Sequence, residues 1–213
     1  MIETLFLDLG GVCIKVNPLP SLSRLSRTVG TVSEKEISDF IAHSDLTRRF
    51  EKGLIDPKTF YHCLLDEWET DFSFDFFKEI WNSIFSPIQP VIALLPELKK
   101  SCRLICVSNT NLLHIEYLKI HIPIFHWFDH LIFSYEVGSA KPEPEIYLEA
   151  LKRAGSQPEK CLFVDDLLVN IETAKEMGMK TIHYKGYGFL TDQLTKWKLI
   201  KQTNGDLDEG AAL

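Results

Sequence analysis

The stretch LFLDLGGV (residues 5–12) is a short apolar run that ends on one carboxylate, Asp8, and is closed by two glycines. A run of this length and closure is typical of a buried strand that leads into a tight turn. The position two residues after Asp8 holds Gly10, so the turn carries no second carboxylate. The stretch therefore predicts a buried strand that carries a single acid, Asp8, at its carboxyl end.

Four further segments have the same character as this first strand. They are nearly continuous apolar runs, as expected for parallel strands that are buried on both faces. Helical patterns separate them, so the alternation predicts an α/β fold with a Rossmann-like parallel sheet flanked by helices. The predicted strands lie in 4–10, 102–109, 130–134, 161–166 and 180–184, and helices are predicted over 89–100, 143–155 and 170–178.

Residues 17–88 interrupt the alternation and contain no convincing strand. A capping box at 33–36 and an Asp-Pro pair at 56–57 mark helix starts in this segment. We predict an all-helical cap inserted after the first strand, with its many aromatic residues packed between the helices. The predicted α/β core then comprises 1–16 and 89–200, followed by a flexible tail over 201–213.

The composition of the 213 residues limits the partners of this chain. A formal net charge of −7 argues against nucleic acid or an anionic membrane surface as the main partner. No basic leader and no apolar run of membrane-spanning length is visible, and the five cysteines form no CxxC pair. We expect a cytoplasmic protein with reduced thiols. The sequence leaves the oligomeric state open.

Charged and polar residues follow the carboxyl ends of the predicted strands, where open parallel sheets bind their ligands. This set suits phosphoryl transfer to a carboxylate. One acid attacks, a second shares a divalent cation with it, a lysine offsets the phosphate charge, and a hydroxyl holds phosphate oxygens. The residues are Asp8, Ser108, Asn109, Lys141, Asp165 and Asp166.

Four motifs in this order, FLDLGGV, VSNTN, AKPEPEIY and FVDDLLVNIETA, resemble those of the haloacid dehalogenase-like (HAD) hydrolase superfamily. The resemblance covers residues 2 to about 190. With FEKGLIDPKTF in the insert, the chain looks most similar to bacterial sugar-phosphate phosphatases of the α-D-glucose-1-phosphate phosphatase type. The phosphatase domain of soluble epoxide hydrolases is a more distant likeness. The resemblance implies a Mg²⁺-dependent phosphatase that acts on a small phosphorylated metabolite through an aspartyl-phosphate.

The resemblance also implies a role for each matching residue. Asp8 would be the nucleophile, and Lys141 would anchor both the nucleophile and the phosphate. Ser108 and Asn109 would bind the transferring phosphoryl group. Mg²⁺ would be held by the Asp8 carboxylate, the Gly10 carbonyl and Asp166, with Asp165 either a further ligand or a partner of the ligands, and Asn170 in a supporting role.

Gly10 departs from the pattern, because most phosphatases of this superfamily carry an acid there that protonates the leaving oxygen. His114, which follows the second motif, is a hypothetical replacement. One alternative function is a catalytically impaired protein that binds a metabolite or a partner. Another is a haloacid dehalogenase, although the pair Asp165–Asp166 would hinder a departing halide. A zinc site at His126 and His130 lacks further ligands, so we predict that both side chains serve packing.

Overall fold

The computed structural model describes residues 1–201, so most of the predicted tail lies outside the described residues. Five strands form one parallel sheet in the order β5-β4-β1-β6-β7, and a separate ribbon pairs β2 with β3. The five predicted strands are therefore confirmed, with the first at the centre of the sheet. The strands are β1 Thr4–Leu7, β2 Ile14–Val16, β3 Phe85–Pro87, β4 Arg103–Ser108, β5 His130–Phe133, β6 Cys161–Asp165 and β7 Lys180–His183.

Helices cover both the insert and the connections between the sheet strands. The insert holds α1 to α5, which we call the cap helices. Their bounds are α1 Leu19–Val29, α2 Glu34–His43, α3 Asp45–Glu51, α4 Pro57–Glu67 and α5 Phe74–Asn82. The remaining helices are α6 Gln89–Ile92, α7 Leu95–Ser101, α8 Leu112–His121, α9 Ser134–Val137, α10 Pro144–Ala154, α11 Leu168–Glu176 and α12 Tyr187–Lys196.

The helix starts predicted in the insert are present, and one predicted helix is divided. Ser33 and Glu36 form the reciprocal capping box of α2, and the Asp56 carboxylate accepts hydrogen bonds from two backbone amides of α4. The single helix predicted over 89–100 is instead α6 followed by α7. Pro96 lies in the first turn of α7 and has no amide hydrogen to continue the α6 ladder.

The aromatic residues of the insert pack against each other, as predicted. Phe50 stacks on Phe60 with ring centroids 4.3 Å apart, and Trp81 meets the same Phe60 edge-on at 5.2 Å. These side chains are buried and form a hydrophobic cluster distinct from the clusters on the two faces of the sheet. The cap helices therefore have a core of their own.

The ribbon of β2 and β3 corrects the expectation that residues 17–88 contain no strand. Phe85–Pro87 pairs antiparallel with Ile14–Val16, with Val16 opposite Phe85 and Ile14 opposite Pro87. Each strand has only three residues, and its partner is about 70 positions away in sequence, so no local pattern marks it. Both passages of the chain between sheet and cap thus run through one ribbon.

Two further expectations concern membranes and cysteines. Among the helices of residues 1–201, none has the length and apolar character that crossing a membrane requires. All five cysteines are free thiols.

Candidate active site

The carboxyl edge of the sheet gathers three acids from two neighbouring strands. Asp8 directly follows β1, and its amide donates to the Val164 carbonyl of β6 at 3.0 Å, so the hydrogen bonds of the sheet extend to Asp8. Asp165 ends β6 and Asp166 follows it. One carboxylate oxygen from each of the three acids lies within 4.8 Å of the other two.

Lys141 lies between two of these acids. Its Nζ is 2.8 Å from Asp8 Oδ1 and 2.7 Å from Asp165 Oδ2, and its side chain is 1% exposed. Asn170 donates to both oxygens of Asp165, and the Leu167 amide donates to Asp165 Oδ1. Because its oxygens are already engaged in this way, Asp165 positions Lys141 and is the less available of the candidate metal ligands.

Burial sets the protonation of this cluster. It raises the pKa of Asp8 to about 7, although the Lys141 ammonium opposes the change, and the charge of Asp165 adds to it. Burial alone would lower the pKa of Lys141, but the two carboxylates outweigh it and the pKa is raised. Burial and then Asp165 raise the pKa of Asp166. Three acids facing one ammonium leave an excess of negative charge that a cation would offset.

The donors available to such a cation are all oxygens. Asp8 Oδ1 is held by the Leu9 amide and Lys141, whereas Asp8 Oδ2 has no hydrogen-bond partner within residues 1–201. In the 9–14 turn, backbone amides bond to the carbonyls of Leu9, Cys13 and Ile14, and none found in the described chain bonds to that of Gly10. These oxygens, together with Asp166, fit the hard-donor preference of Mg²⁺.

Gly11 brings the turn against Asp166. Its φ is +76°, and a Cβ built there would lie 2.2 Å from Asp166 Oδ2. Gly10 differs, because its φ is ordinary and a Cβ would meet only Val16 Cγ2 at 3.5 Å. Close backbone approach therefore explains the glycine at 11 and does not explain the one at 10.

The side chain of Asn109 contacts the loop that carries Lys141. Its Nδ2 donates to the Lys141 carbonyl at 2.8 Å, and its Oδ1 accepts from the Lys141 amide at 2.7 Å. The amide thus fixes the loop that carries Lys141. Ser108 is buried at the end of β4, and its hydroxyl makes only a long contact of 3.4 Å with the Asn109 carbonyl.

Two cavities meet at the Asp8 turn. The first, which we call the acidic cavity, has a volume of about 380 Å³ and is lined by Asp8, Lys141, Asp166 and Asn170, among others. The second, which we call the apolar cavity, has a volume of about 300 Å³ and lies against the cap helices. Gly10, Val16 and Asn109 line both.

Sequence reasoning missed two charged residues beside these cavities. Lys15, an exposed residue of β2, lines the acidic cavity and adds a second ammonium there. Glu51, at the end of α3, lines the apolar cavity, and burial raises its pKa. Neither residue follows the carboxyl end of a predicted strand. The pattern that indicated the other site residues therefore could not reveal these two.

The histidine hypotheses have different outcomes. His114 Nε2 lies 3.1 Å from the Trp81 carbonyl and its Nδ1 lies 3.0 Å from Asn111 Nδ2, so both ring nitrogens are engaged. Burial lowers the pKa of His114 to about 3. A neutral ring with both nitrogens in use is a poor general acid, which argues against the proposed replacement for Gly10. The only cluster of three candidate metal-binding side chains within residues 1–201 is that of the acids, and it excludes His126 and His130.

Comparison with known proteins gives relatives that match nearly the whole chain. The chain is 26% identical to a D-ribitol-5-phosphate phosphatase from Bacteroides thetaiotaomicron, over 85% of this chain and 91% of that protein. It is 27% identical to the sesquiterpene phosphatase astK from Aspergillus oryzae, over 93% and 94%. The crystal structure of the HAD family enzyme bt-2542 from Bacteroides thetaiotaomicron in a magnesium complex superimposes with a TM-score of 0.78 at 28% identity, covering 86% of this chain and 93% of that one.

The family assignment follows from the length of the match as much as from the motifs. A model of the haloacid dehalogenase-like hydrolases matches residues 2–178, which include the three acids, Lys141 and the cap helices. This protein therefore belongs to the haloacid dehalogenase-like hydrolase family.

Proposed function

We propose that the protein is a Mg²⁺-dependent phosphatase that hydrolyses a small phosphorylated metabolite through an aspartyl-phosphate on Asp8. The observation that carries this proposal is the placement of the Lys141 ammonium between Asp8 and Asp165, beside Asp166. A haloacid dehalogenase has no use for a third acid at this edge, because crowded carboxylates oppose the departure of a halide. Phosphoryl transfer does have a use for it, as a metal ligand.

Each of these residues has a separate role in the first chemical step. The Asp8 carboxylate attacks phosphorus while the bond from phosphorus to the ester oxygen breaks, and the departing oxygen takes its proton from water. Lys141 favours the ionised form of Asp8 against burial and offsets charge on the phosphoryl oxygens. Asp8, the Gly10 carbonyl and Asp166 would hold Mg²⁺, and bound Mg²⁺ supplies positive charge for the phosphate.

The second step restores the enzyme. Water attacks the phosphorus of the aspartyl-phosphate, the bond from phosphorus to Asp8 breaks, and inorganic phosphate leaves with the Asp8 carboxylate regenerated. Ser108 and Lys15, which line the two joined cavities, are placed to hold phosphate oxygens. Asn109 contributes through its two hydrogen bonds to the Lys141 backbone, as a positioning residue.

Relatives support the phosphoryl group as the shared feature of the substrates. One is named for ribitol 5-phosphate and another is a sesquiterpene phosphatase. Their alcohols differ in size and polarity, so the likeness favours a phosphate ester and does not choose its alcohol. We propose that the cap helices make that choice, because they line the apolar cavity that joins the acidic one.

The test is phosphate release from phenyl phosphate by the wild-type protein and by Asp8→Asn, each with Mg²⁺ and with EDTA. We expect Asp8→Asn to lower kcat by about 10³-fold or more, because the amide cannot attack phosphorus. Its fold should persist, since Lys141 keeps its contact with Asp165. A folded Asp8→Asn protein with substantial turnover would exclude the covalent mechanism.

The same preparation separates the rival functions. Chloride release from 2-chloropropionate in the presence of EDTA would establish a dehalogenase. Phosphate binding without release of phosphate from any ester would establish a catalytically impaired binding protein. The proposal expects neither result.

A further inference from the structure

We infer that the leaving group of the substrate is a hydrocarbon, a chain or an aromatic group, that occupies the apolar cavity while its phosphate occupies the acidic cavity. This inference rests on the proposed phosphatase function and adds the chemical class of the alcohol. It starts from the position of the two cavities, which adjoin because Gly10, Val16 and Asn109 line both of them. A phosphate ester seated at Asp8 therefore has its alcohol portion directed at one of two spaces, solvent or the apolar cavity.

The walls of the apolar cavity come from both parts of the molecule and are mostly hydrocarbon. Leu9 and Ile14 contribute from the Asp8 turn and the ribbon. The cap helices and the segment after them contribute the larger share, namely Leu22, Leu25, Ile41, Ile80, Trp81 and Ile84. The volume of about 300 Å³ is at the lower end of the range of small-molecule sites. A linear or aromatic hydrocarbon group suits such a space.

Several polar side chains of this wall are already hydrogen-bonded and offer little to a polyhydroxylated alcohol. The Ser21 hydroxyl is bonded to that of Ser83, and the Thr47 hydroxyl to that of Ser44. Asn109 is engaged by the Lys141 backbone, and both nitrogens of His114 are engaged. A sugar or polyol that entered would lose its hydrogen bonds to water and could replace them mainly at Ser108, Thr110, Glu51 and the Trp81 Nε1–H.

The charges of the wall agree with this assignment. The lining, all of it within residues 1–201, contains no lysine or arginine. Its titratable groups are Glu51 and His114. Burial shifts both toward their neutral forms, raising the pKa of Glu51 and lowering that of His114 to about 3. An uncharged, apolar group is thus the occupant that costs least in desolvation.

Gly10, which has no side chain, lies where the two cavities adjoin. A Cβ there would have one neighbour within 4 Å, Val16 Cγ2, so space for a larger group exists and is left open. We assign this opening to the ester bond, which must pass between the cavities at this point.

The test uses a series of straight-chain alkyl phosphates from two to eight carbons, with ribitol 5-phosphate as the polyol comparison. We expect kcat/KM to rise with chain length, by up to about fourfold for each methylene that becomes buried, and the polyol to be poorer than pentyl phosphate. Equal kcat/KM along the series, with ribitol 5-phosphate preferred over pentyl phosphate, would overturn the inference and leave the phosphatase proposal standing.

A binding measurement keeps the two proposals separable. The matching alkylphosphonates have no ester bond to hydrolyse, and their dissociation constants in the presence of Mg²⁺ are measured by calorimetry. Tighter binding with chain length but no hydrolysis of any phosphate would uphold the cavity assignment and reject the phosphatase. Binding that ignores chain length would reject the cavity assignment whether or not the protein is active.

A pair of substitutions tests the location. Ile41 lines the apolar cavity, whereas Ile55 lines neither cavity, and both are half-buried cap residues that pack against the same hydrophobic cluster. Ile41→Thr should lower the preference for octyl over ethyl phosphonate severalfold, and Ile55→Thr should leave it unchanged. The same loss in both variants, with unchanged melting temperatures, would place the hydrocarbon elsewhere.

Discussion

Asp8 combines deep burial with the nucleophilic role that we propose for it, and the two requirements conflict. Burial favours its neutral form, with a pKa of about 7 against an ordinary 3.8, whereas attack on phosphorus needs the carboxylate. Lys141 reduces the conflict from one side at 2.8 Å. A cation beside Asp8 Oδ2 and Asp166 would reduce it from the other.

A pH dependence of stability follows from this raised pKa. Between 3.8 and about 7 the folded protein holds the Asp8 proton while the unfolded chain has lost it. Without metal, the free energy of unfolding should therefore fall as the pH rises through this window. Urea melts in EDTA at several pH values measure it. Asp8→Asn should show a shallower fall, and parallel profiles for the two proteins would show that Asp8 does not contribute.

Gly10→Asp tests what the missing acid costs. The backbone at Gly10 accepts a side chain, so the variant should fold. A carboxyl group there could protonate a poor leaving group, so kcat/KM for ethyl phosphate should gain more than that for phenyl phosphate, by a factor within about 10²–10⁴. Gly10→Asn has the same size without the proton and is the matched control. An unchanged ratio of the two esters in well-folded Gly10→Asp would mean that another group already supplies the proton.

Sequence reasoning found the acids and the lysine because each follows a strand whose apolar run is visible locally. The contact of Asn109 was beyond it, since that contact depends on how the loop at 139–143 folds back onto the end of β4. The side-chain amide of Asn109, which was predicted to help bind the phosphoryl group, is bonded to both the amide and the carbonyl of Lys141. A side chain's residue type indicates which bonds it can make, whereas its partner depends on the tertiary fold.

The strands also differ in whether a local sequence pattern predicts them. The sheet strands were predictable from continuous apolar runs such as CLFVD, which is fully buried. The strand Phe85–Pro87 was not, because it is short, contains proline and exists only through pairing with Ile14–Val16. Sequence patterns report burial well, and they report pairing between distant segments poorly.

The segment just after α3 approaches the sheet domain closely. Gly53, with φ +67°, lies so near α9 that a Cβ would be 2.1 Å from the Tyr135 carbonyl oxygen. Gly30, with φ +77°, has no atom within 4 Å of such a Cβ. Both positions disfavour alanine through φ, by about 1–3 kcal/mol. Only Gly53 adds a collision between the two parts of the molecule.

Gly53→Ala should therefore lower stability more than Gly30→Ala, and it alone should raise KM, because the cap can no longer seat against α9. Thermal melts and steady-state kinetics on phenyl phosphate measure the two effects. Gly30→Ala controls for the backbone strain. Equal losses of stability with equal KM values would show that the approach to Tyr135 has no role in seating the cap.

Polar contacts tie the cap to the sheet domain near the loop that carries Lys141. The Ser134 hydroxyl donates to the Glu51 carbonyl at 2.7 Å, and Lys52 pairs with Glu143. Glu143 also accepts hydrogen bonds from Ser139 and the Ala140 amide, so it braces the loop that carries Lys141. The tie between cap and sheet domain thus ends two residues from the central ammonium.

Lys52→Met should weaken this tie. A half-exposed ion pair contributes about 0–1 kcal/mol, so we expect KM to rise by up to about fivefold and the difference from wild type to shrink in high salt. Lys58→Met is the control, because Lys58 is exposed on α4 and no acid pairs with it within residues 1–201. A salt-independent rise in KM, or the same rise in both variants, would rule out the ion pair as the cause.

The ribbon has a consequence for how such a molecule can change. Val16 and Phe85 are cross-strand neighbours, and the Asn17 amide bonds to the Ile84 carbonyl at 2.8 Å, so the insert begins and ends at one place. Adjacent strands lie about 4.8 Å apart, a gap that a two-residue hairpin turn closes. Residues 17–84 therefore form a cassette, and a different cassette can be spliced onto the same two strands while Asp8, Lys141 and Asp166 stay where they are.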